Sequence, residues 1–389
     1  MFKLKQYDWR KYNFALVLVV IILCVCGAYF VKFAVTDDEA SSYFKRQIFA
    51  MIGGLFVVGI VSLIDYRRIC DFVVVYYIIG TLMAAATKLS PLGTDLGTSS
   101  YRWLALPGLN FQPSEICKII IILMLAAYFV KMQEEMHSWK TFLIGFGIMF
   151  LPTFFILIQS DLSSSLVIIF VFAMMVFAAG VSYKIVVPIL AVCIPTLIGG
   201  LWFLQQPMAK KIIPKSHWYQ IDRVVGFLNP EKYSDSTMYQ QLHSIQAIAS
   251  GKLTGKLMSD TATTSRDYRW VDVCESDFIF TVVGEEVGFI GSCLIIGLLC
   301  LVVFLCLRTA KKCNDTLGYL IAIGISAMFM FQVFANIGVA TLILPNTGLP
   351  LPFLSNGISS LLSCMIAIGM MLNIGMQSGS GDRGGISFL

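Results

Sequence analysis

Asn13-Phe-Ala-Leu-Val-Leu-Val-Val-Ile-Ile-Leu-Cys-Val-Cys-Gly-Ala-Tyr-Phe-Val-Lys-Phe-Ala-Val35 carries a single charge, Lys32. A helix needs about 20 apolar residues to cross a bilayer core, and this run meets that requirement alone. No small-residue cleavage site follows the apolar run, so it reads as a retained first span and not as a signal peptide. Nine more runs of this kind follow, at 46–64, 72–89, 114–131, 140–159, 162–180, 184–204, 278–307, 316–340 and 357–377. The composition agrees. Of 389 residues, 57% are hydrophobic and 13% charged, half the charge of an ordinary soluble domain at about 25%. The sequence predicts an all-α polytopic membrane protein of about ten transmembrane helices.

Lys and Arg in the short loops set the orientation. Lys3, Lys5, Arg10 and Lys11, then Arg67 and Arg68, Lys131 and Lys140, Lys184, and Arg308, Lys311 and Lys312 alternate along the chain. This places both termini in the cytoplasm. Residues 1–377 read as one integral membrane domain and 378–389, rich in Gly and Ser, as a flexible cytoplasmic tail. One large extracellular loop, 205–277, joins spans seven and eight. Within it, 236–250 has helical apolar spacing and is expected to lie along the membrane surface. Loops of this length usually carry function.

Several classes drop out. A net charge of +5 with no basic stripe gives no footprint for nucleic acid. The eleven cysteines sit in apolar stretches, with Cys274 alone on the outer side, so neither an extracellular disulfide nor a zinc pair is available.

Ionisable groups at membrane depth suggest a site by default. The fourth span opens Phe111-Gln-Pro-Ser-Glu-Ile-Cys-Lys118, where Ser114, Glu115 and Lys118 share a face by i,i+3 and i,i+4 spacing. Asp161 opens the sixth span at similar depth, so a Lys118–Asp161 ion pair is expected, as a helix lock, a functional pair or both. Asp277 stands at the mouth of the eighth span, as base or as helix cap. Glu285 and Glu286 lie deeper and point about 100° apart, so they form no dyad. Arg102-Trp103 reads as a membrane anchor or as a guanidinium for a lipid phosphate. Three prolines and two glycines in 344–359 forbid a continuous helix and suggest a loop folded into the bundle. All these groups fall in the outer half. A transporter would place its site near the midplane; a one-sided site suits chemistry on a lipid-anchored substrate.

The chain resembles the SEDS family (shape, elongation, division and sporulation), whose members include RodA, FtsW and SpoVE. Four stretches carry the resemblance across the chain: Arg102-Trp103-Leu104 with Phe111 to Glu115 and Lys118; Arg223 to Pro230 with Tyr239-Gln240 and Ala247-Ile248; Asp277-Phe278-Ile279-Phe280 with Gly284 to Gly288; and Pro345 to Ser360. Asn356 and Ile358 stand where that family usually has Tyr and Gly. The resemblance implies a peptidoglycan glycosyltransferase of the bacterial cytoplasmic membrane that polymerises lipid II at the outer face, beside a class B penicillin-binding protein. It implies Asp277 as the catalytic base, and Lys118 and Asp161 as structural or functional residues. The expected substrate-binding set is Arg102, Glu115, Lys118, Glu285, Glu286 and Ser355. Arg102, Lys118 or a divalent cation (Mg2+ or Mn2+) would offset the diphosphate charge, and no organic cofactor is expected. A lipid II flippase and a scaffold that activates its partner are the competing readings.

Overall fold

The computed structural model describes residues 7–90, 93–94, 102–106, 109–206, 208–212, 218–234, 236–258 and 265–377. The expected tail at 378–389 lies outside these residues, as do parts of the loops 90–113 and 205–277. In chain order the described elements are α1 (Phe14–Ala34), α2 (Asp37–Ser62), α3 (Tyr66–Asp71) and α4 (Val73–Leu89). Three short strands follow, β1 (Gly93–Thr94), β2 (Trp103–Leu106) and β3 (Leu109–Phe111). Then come α5 (Pro113–Lys131), α6 (Trp139–Ile158), α7 (Leu162–Ala178), α8 (Tyr183–Leu204), α9 (Ala209–Ile212), α10 (Trp218–Leu228) and α11 (Tyr239–Ser250). The chain closes with α12 (Ile279–Lys312), α13 (Thr316–Ala340) and α14 (Ile358–Gln377).

Eight of these helices are long and apolar enough to cross a membrane by length and composition; α4 and α7 are shorter apolar helices. Together they fall on the ten expected spans. The second begins nine residues earlier than 46, because Asp37 to Lys45 continue the helix as a polar extension. The sheet is an addition to the all-α expectation. It is antiparallel in the order β1-β2-β3, with Thr94 opposite Trp103 and Leu104 opposite Phe111. Arg102, just before β2, lines the same cavity as Gln112 and Glu115 at the start of α5.

Local chemistry sets the helix starts. Asn13 accepts from Leu16 N at 3.1 Å to cap α1, Asp315 caps α13 through Gly318 N, and Pro113 occupies the first turn of α5, where no N–H is needed. α5, α13 and α14 are the most buried long helices and form the centre, with α2 and α12 against α14 and α13, and α7 against α13. Apolar burial does not favour helix association within lipid, so close approach of small residues matters. A Cβ on Gly369 of α14 would lie 2.8 Å from Val61 Cβ and 3.1 Å from Val58 O of α2. α8 stands apart, with Ile185 its one buried residue.

The eighth span is broken. Gly288 has φ 63°, ψ −165° inside α12, a region essentially open to glycine alone. The break frees the carbonyls of Glu285 and Glu286 and the amides of Phe289 and Ile290 from helical pairing. Residues 252–257 take all four: Lys256 N donates to Glu285 O and Leu257 N to Glu286 O, each at 2.9 Å, while Phe289 N and Ile290 N donate to Lys252 O and Leu253 O at 2.9 and 3.1 Å. Irregular backbone is tolerated where protein satisfies it.

α11, the helix expected at 236–250, packs one face onto the bundle. Its buried face, Gln241, Ser244 and Ala247, meets α12 and the end of α13. Gln241 Nε2 donates to Val339 O at 2.9 Å and Leu344 O at 2.8 Å; Ser244 Oγ donates to Ala340 O at 2.9 Å and contacts Thr281 Oγ1. Side chains that look polar in the sequence are spent on carbonyls at the end of α13 and in the loop after it.

Candidate active site

Where α5, α7 and α12 begin, the loop after α13 turns into the bundle and a cavity of about 300 Å³ opens. Arg102, Trp103, Gln112, Glu115, Asp161, Arg223 and Asp277 are among its lining residues. Of its four lining carboxylates, Glu115, Asp161, Asp272 and Asp277, two sit in sharply contrasting surroundings, Asp161 and Asp277.

Asp161 caps α7. Its Oδ1 accepts from Ser164 N at 3.0 Å and Ser163 Oγ at 2.8 Å, and its Oδ2 accepts from Ser114 Oγ at 3.1 Å. Burial alone would raise its pKa, but the Arg102 charge and the bonds from Ser164 and Ser163 outweigh it and hold the carboxyl below the ordinary aspartate range. Ser160 beside it adopts φ 62°, and its carbonyl accepts from Arg102 Nη2 at 2.7 Å. That strained turn fixes the guanidinium near Asp161.

Asp277 sits in the turn before α12 with one side-chain hydrogen bond, from Ser276 Oγ to Oδ1 at 2.9 Å. Burial pushes its carboxyl above the ordinary range, against that hydrogen bond and the charges of Arg223 and Arg102. The turn is held from outside. Asn336 Nδ2 donates to Asp277 O at 2.8 Å and to Leu349 O at 2.7 Å. Ser355 Oγ donates to Ser276 O at 2.6 Å and accepts from Leu351 N at 2.8 Å, and Asn356 N donates to Glu275 O at 2.8 Å. The 344–357 loop thus cradles the Asp277 turn, folded into the bundle as its prolines and glycines suggest. It rests on α1, where a Cβ on Gly27 would meet Leu354 Cα and Phe353 O at 2.7 Å.

The sequence profile of the FtsW/RodA/SpoVE cell cycle protein family matches residues 10–380. The chain belongs to this family. A probable peptidoglycan glycosyltransferase FtsW from Trichlorobacter lovleyi is 30% identical over 379 residues, covering 95% of this chain and 94% of the relative. Stage V sporulation protein E of Bacillus subtilis is 28% identical over 371 residues, covering 93% and 96%. A chain from a solved peptidoglycan synthase complex that coordinates polymerization and crosslinking superposes with TM-score 0.77 at 25% identity, covering 96% of this chain and 99% of that one. The rod shape determining protein RodA of Thermus thermophilus shares the fold, with TM-score 0.66 at 24% identity over 94% of this chain and 97% of that one.

In this FtsW/RodA/SpoVE chain, Arg102, Glu115, Asp161 and Asp277 of the expected set come together at the cavity; Lys118, Glu285, Glu286 and Ser355 do not line it. Lys118 does not pair with Asp161. Its Nζ lies 2.8 Å from Glu115 Oε1, one turn back on α5, with both side chains buried, because the i,i+3 partner is nearer than the next helix. Glu115 Oε2 is buried without a hydrogen bond, on the cavity side.

Glu285 and Glu286 tie down the outer loop. Glu285 accepts from Lys256 Nζ, from Asp267 N at 2.7 Å and from Tyr268 N at 2.8 Å. Glu286 accepts from Arg266 Nε at 2.7 Å and Tyr268 OH at 3.0 Å. Burial counts against the charge of Lys256, but its bonds to Glu285 and Asp267 win and raise its pKa. Ser355 positions the Asp277 turn from behind.

Arg223 and Asn336 are the site residues that sequence reasoning passed over. Asn336 had a visible signal, an uncharged polar residue in the last turns of an apolar span.

Proposed function

We infer that this protein is a peptidoglycan glycosyltransferase that polymerises lipid II at the outer face of the bacterial cytoplasmic membrane, with Asp277 as general base. The observation that carries the reading is one cavity lined by Arg102, Arg223 and two carboxylates in opposed environments, Asp161 bonded by Ser114, Ser163 and Ser164 and Asp277 by Ser276. Groups whose environments drive their pKa values apart mark acid and base roles.

The chemistry follows from these residues. The acceptor is a sugar 4-hydroxyl and the donor carries a diphosphate-polyprenol leaving group on its anomeric carbon. Asp277, weakly held by one serine, takes the hydroxyl proton as the oxygen attacks, and its raised pKa makes it a better base near neutral pH. Inversion of an α-linked donor gives the β-linked strand. Arg102 and Arg223 offset the charge of the departing diphosphate, and no acid is needed. Asp161 stays ionised and holds Arg102 in place. Among the described residues, no three His, Cys, Asp or Glu side chains come together as metal ligands. A Mg2+ or Mn2+ ion at the diphosphate would therefore draw part of its coordination from substrate oxygens beside one or two of the lining carboxylates, and no step is routed through it.

The Lys/Arg pattern supports cytoplasmic termini and an outward-facing cavity. The likeness to a chain of a peptidoglycan synthase complex supports a class B penicillin-binding protein as partner, with room for it on the exposed sides of α8 and the outer loop. The cavity is built from helix starts, which favours surface chemistry over the transport of a flippase.

The test incubates the purified full chain with lipid II, with and without the partner, and resolves glycan strands on gels. Strands should form, and Asp277→Asn should lower their rate at least about 100-fold, the scale of a general base, while the protein stays folded. Near-normal strand formation by Asp277→Asn would leave Asp277 a structural residue and end the assignment.

A further inference from the structure

We propose that the protein binds the phosphate headgroup of an anionic phospholipid in a basic cleft at the end opposite the Asp277 cavity. The cleft, about 530 Å³, lies between the chain's first turn and the last turn of α12. Arg10 and Lys11 come from one side, Arg308 and Lys312 from the other, segments about three hundred positions apart in sequence. α12 runs 34 residues from beside Asp277 to Lys312, roughly 50 Å at 1.5 Å per residue, so this site and the active site are separate.

All four cationic side chains are on exposed residues. Lys11 Nζ lies 3.9 Å from Asp8 Oδ2; among the described residues, Arg10, Arg308 and Lys312 have no carboxylate within 4 Å. Four like charges brought to one cleft repel one another unless an anion joins them. The floor is closed by protein: Thr309 Oγ1 is spent on Leu305 O at 3.1 Å, and Asp8 N donates to Met376 O at 3.2 Å, tying the first turn to α14. The cleft is therefore a defined pocket and not a loose cationic fringe.

The surface beside it identifies the anion as a lipid. Leu301, Phe304, Arg308 and Lys312 follow i, i+3, i+7 and i+11 spacing on one face of α12, and Leu301 and Phe304 are exposed. On the neighbouring α1, Phe14 and Leu18 are exposed one and two turns below Lys11. Acyl chains can run along this apolar face while the phosphate sits among the cations. By the Lys/Arg pattern this end is cytoplasmic, where anionic lipids attract basic clusters next to spans. A free phosphate or acidic segment would use the charge and leave the apolar stripe unexplained.

Native mass spectrometry of the full chain in detergent tests this, with titration by dioleoyl phosphatidylglycerol and by the zwitterionic phosphatidylcholine. The wild-type chain should retain phosphatidylglycerol at least tenfold better. Arg308→Gln/Lys312→Gln and, separately, Arg10→Gln/Lys11→Gln should each remove that preference. Lys140→Gln/Lys184→Gln, which removes two exposed cations of the same expected membrane side outside the cleft, should keep it. Equal loss in all three variants would reduce the effect to general positive charge and overturn the proposal. Displacement of phosphatidylglycerol by millimolar inorganic phosphate would make the ligand a free anion and overturn the lipid assignment.

Discussion

Gly348 sits against Asp277: a Cβ on this residue would lie 3.1 Å from Asp277 Oδ2 and 3.9 Å from Arg223 Nη1. The backbone there has φ +75°, so two constraints converge on one position. A side chain would both strain the turn and enter the space between Asp277 and Arg223. Gly348→Ala should cost about 1–3 kcal/mol from the backbone alone. It should lower polymerisation more than that strain explains, because a displacement of 1 Å at a reacting group can cost about 100-fold. Thermal unfolding beside lipid II turnover separates the two. A variant with lowered stability and unchanged turnover per folded molecule would show that the gap is not used.

Lys118 and Glu115 form a buried pair on one helix, so each should depend on the other. Removing one partner leaves an uncompensated charge, about 3–5 kcal/mol when fully buried. Lys118→Met should therefore destabilise strongly, and adding Glu115→Gln should recover much of the loss. Lys118→Met and Asp161→Asn should add to within about 0.5 kcal/mol, as separate sites do. Strong coupling between Lys118 and Asp161 in that cycle would restore the interhelical pair that the geometry replaces.

The spans were legible because each is a run of apolar residues with few competing readings. Asp277 and the 344–357 loop were legible through motif and proline content. Three features were not. Gly288 breaks α12, yet in sequence it looks like Gly284 or Gly291, which stay helical. Gln241 and Ser244 lie in a segment that reads as a surface helix, since nothing local reveals the carbonyls of Val339 and Ala340 that they bond. Glu285 and Glu286 read as site residues because a buried charge signals function until its partners are known. Those partners, Lys256 and Arg266, lie in a loop whose docking depends on the same glycine break.

Glu286 and Arg266 therefore serve the outer loop, and their removal should act on order first. Glu286→Gln should lower stability by roughly the low end of the 3–5 kcal/mol of a broken buried pair, since Arg266 is partly exposed. Hydrogen exchange should accelerate across 252–258 and 265–270, with the helices of the centre unchanged. Polymerisation should fall, and a partner that orders the loop should recover part of it by population shift. Exchange unchanged in Glu286→Gln would show that the backbone bonds at the Gly288 break hold the loop alone.

The two cavity carboxylates should respond to pH in opposite directions. Asp277 titrates above its ordinary 3.8. Folding disfavours its ionised form, so its contribution to stability is fully present below about pH 4 and is lost as pH rises through its folded pKa. Asp161 titrates below 3.8; its contribution is present above that value and is lost as pH falls through its folded pKa. At neutral pH, Asp277→Asn should unfold at a higher temperature than the unsubstituted chain, with the gap closing toward pH 4. Asp161→Asn should unfold at a lower temperature, with its deficit shrinking as acid protonates the native carboxylate. The same asymmetry governs turnover. The acid limb of the pH–rate profile should report Asp277 and lie above the range of a free aspartate, and Asp161→Asn, by removing a like charge that raises the Asp277 pKa, should move that limb lower. An acid limb at an ordinary aspartate pKa, unmoved by Asp161→Asn, would mean that neither burial nor the Asp161 charge acts on Asp277.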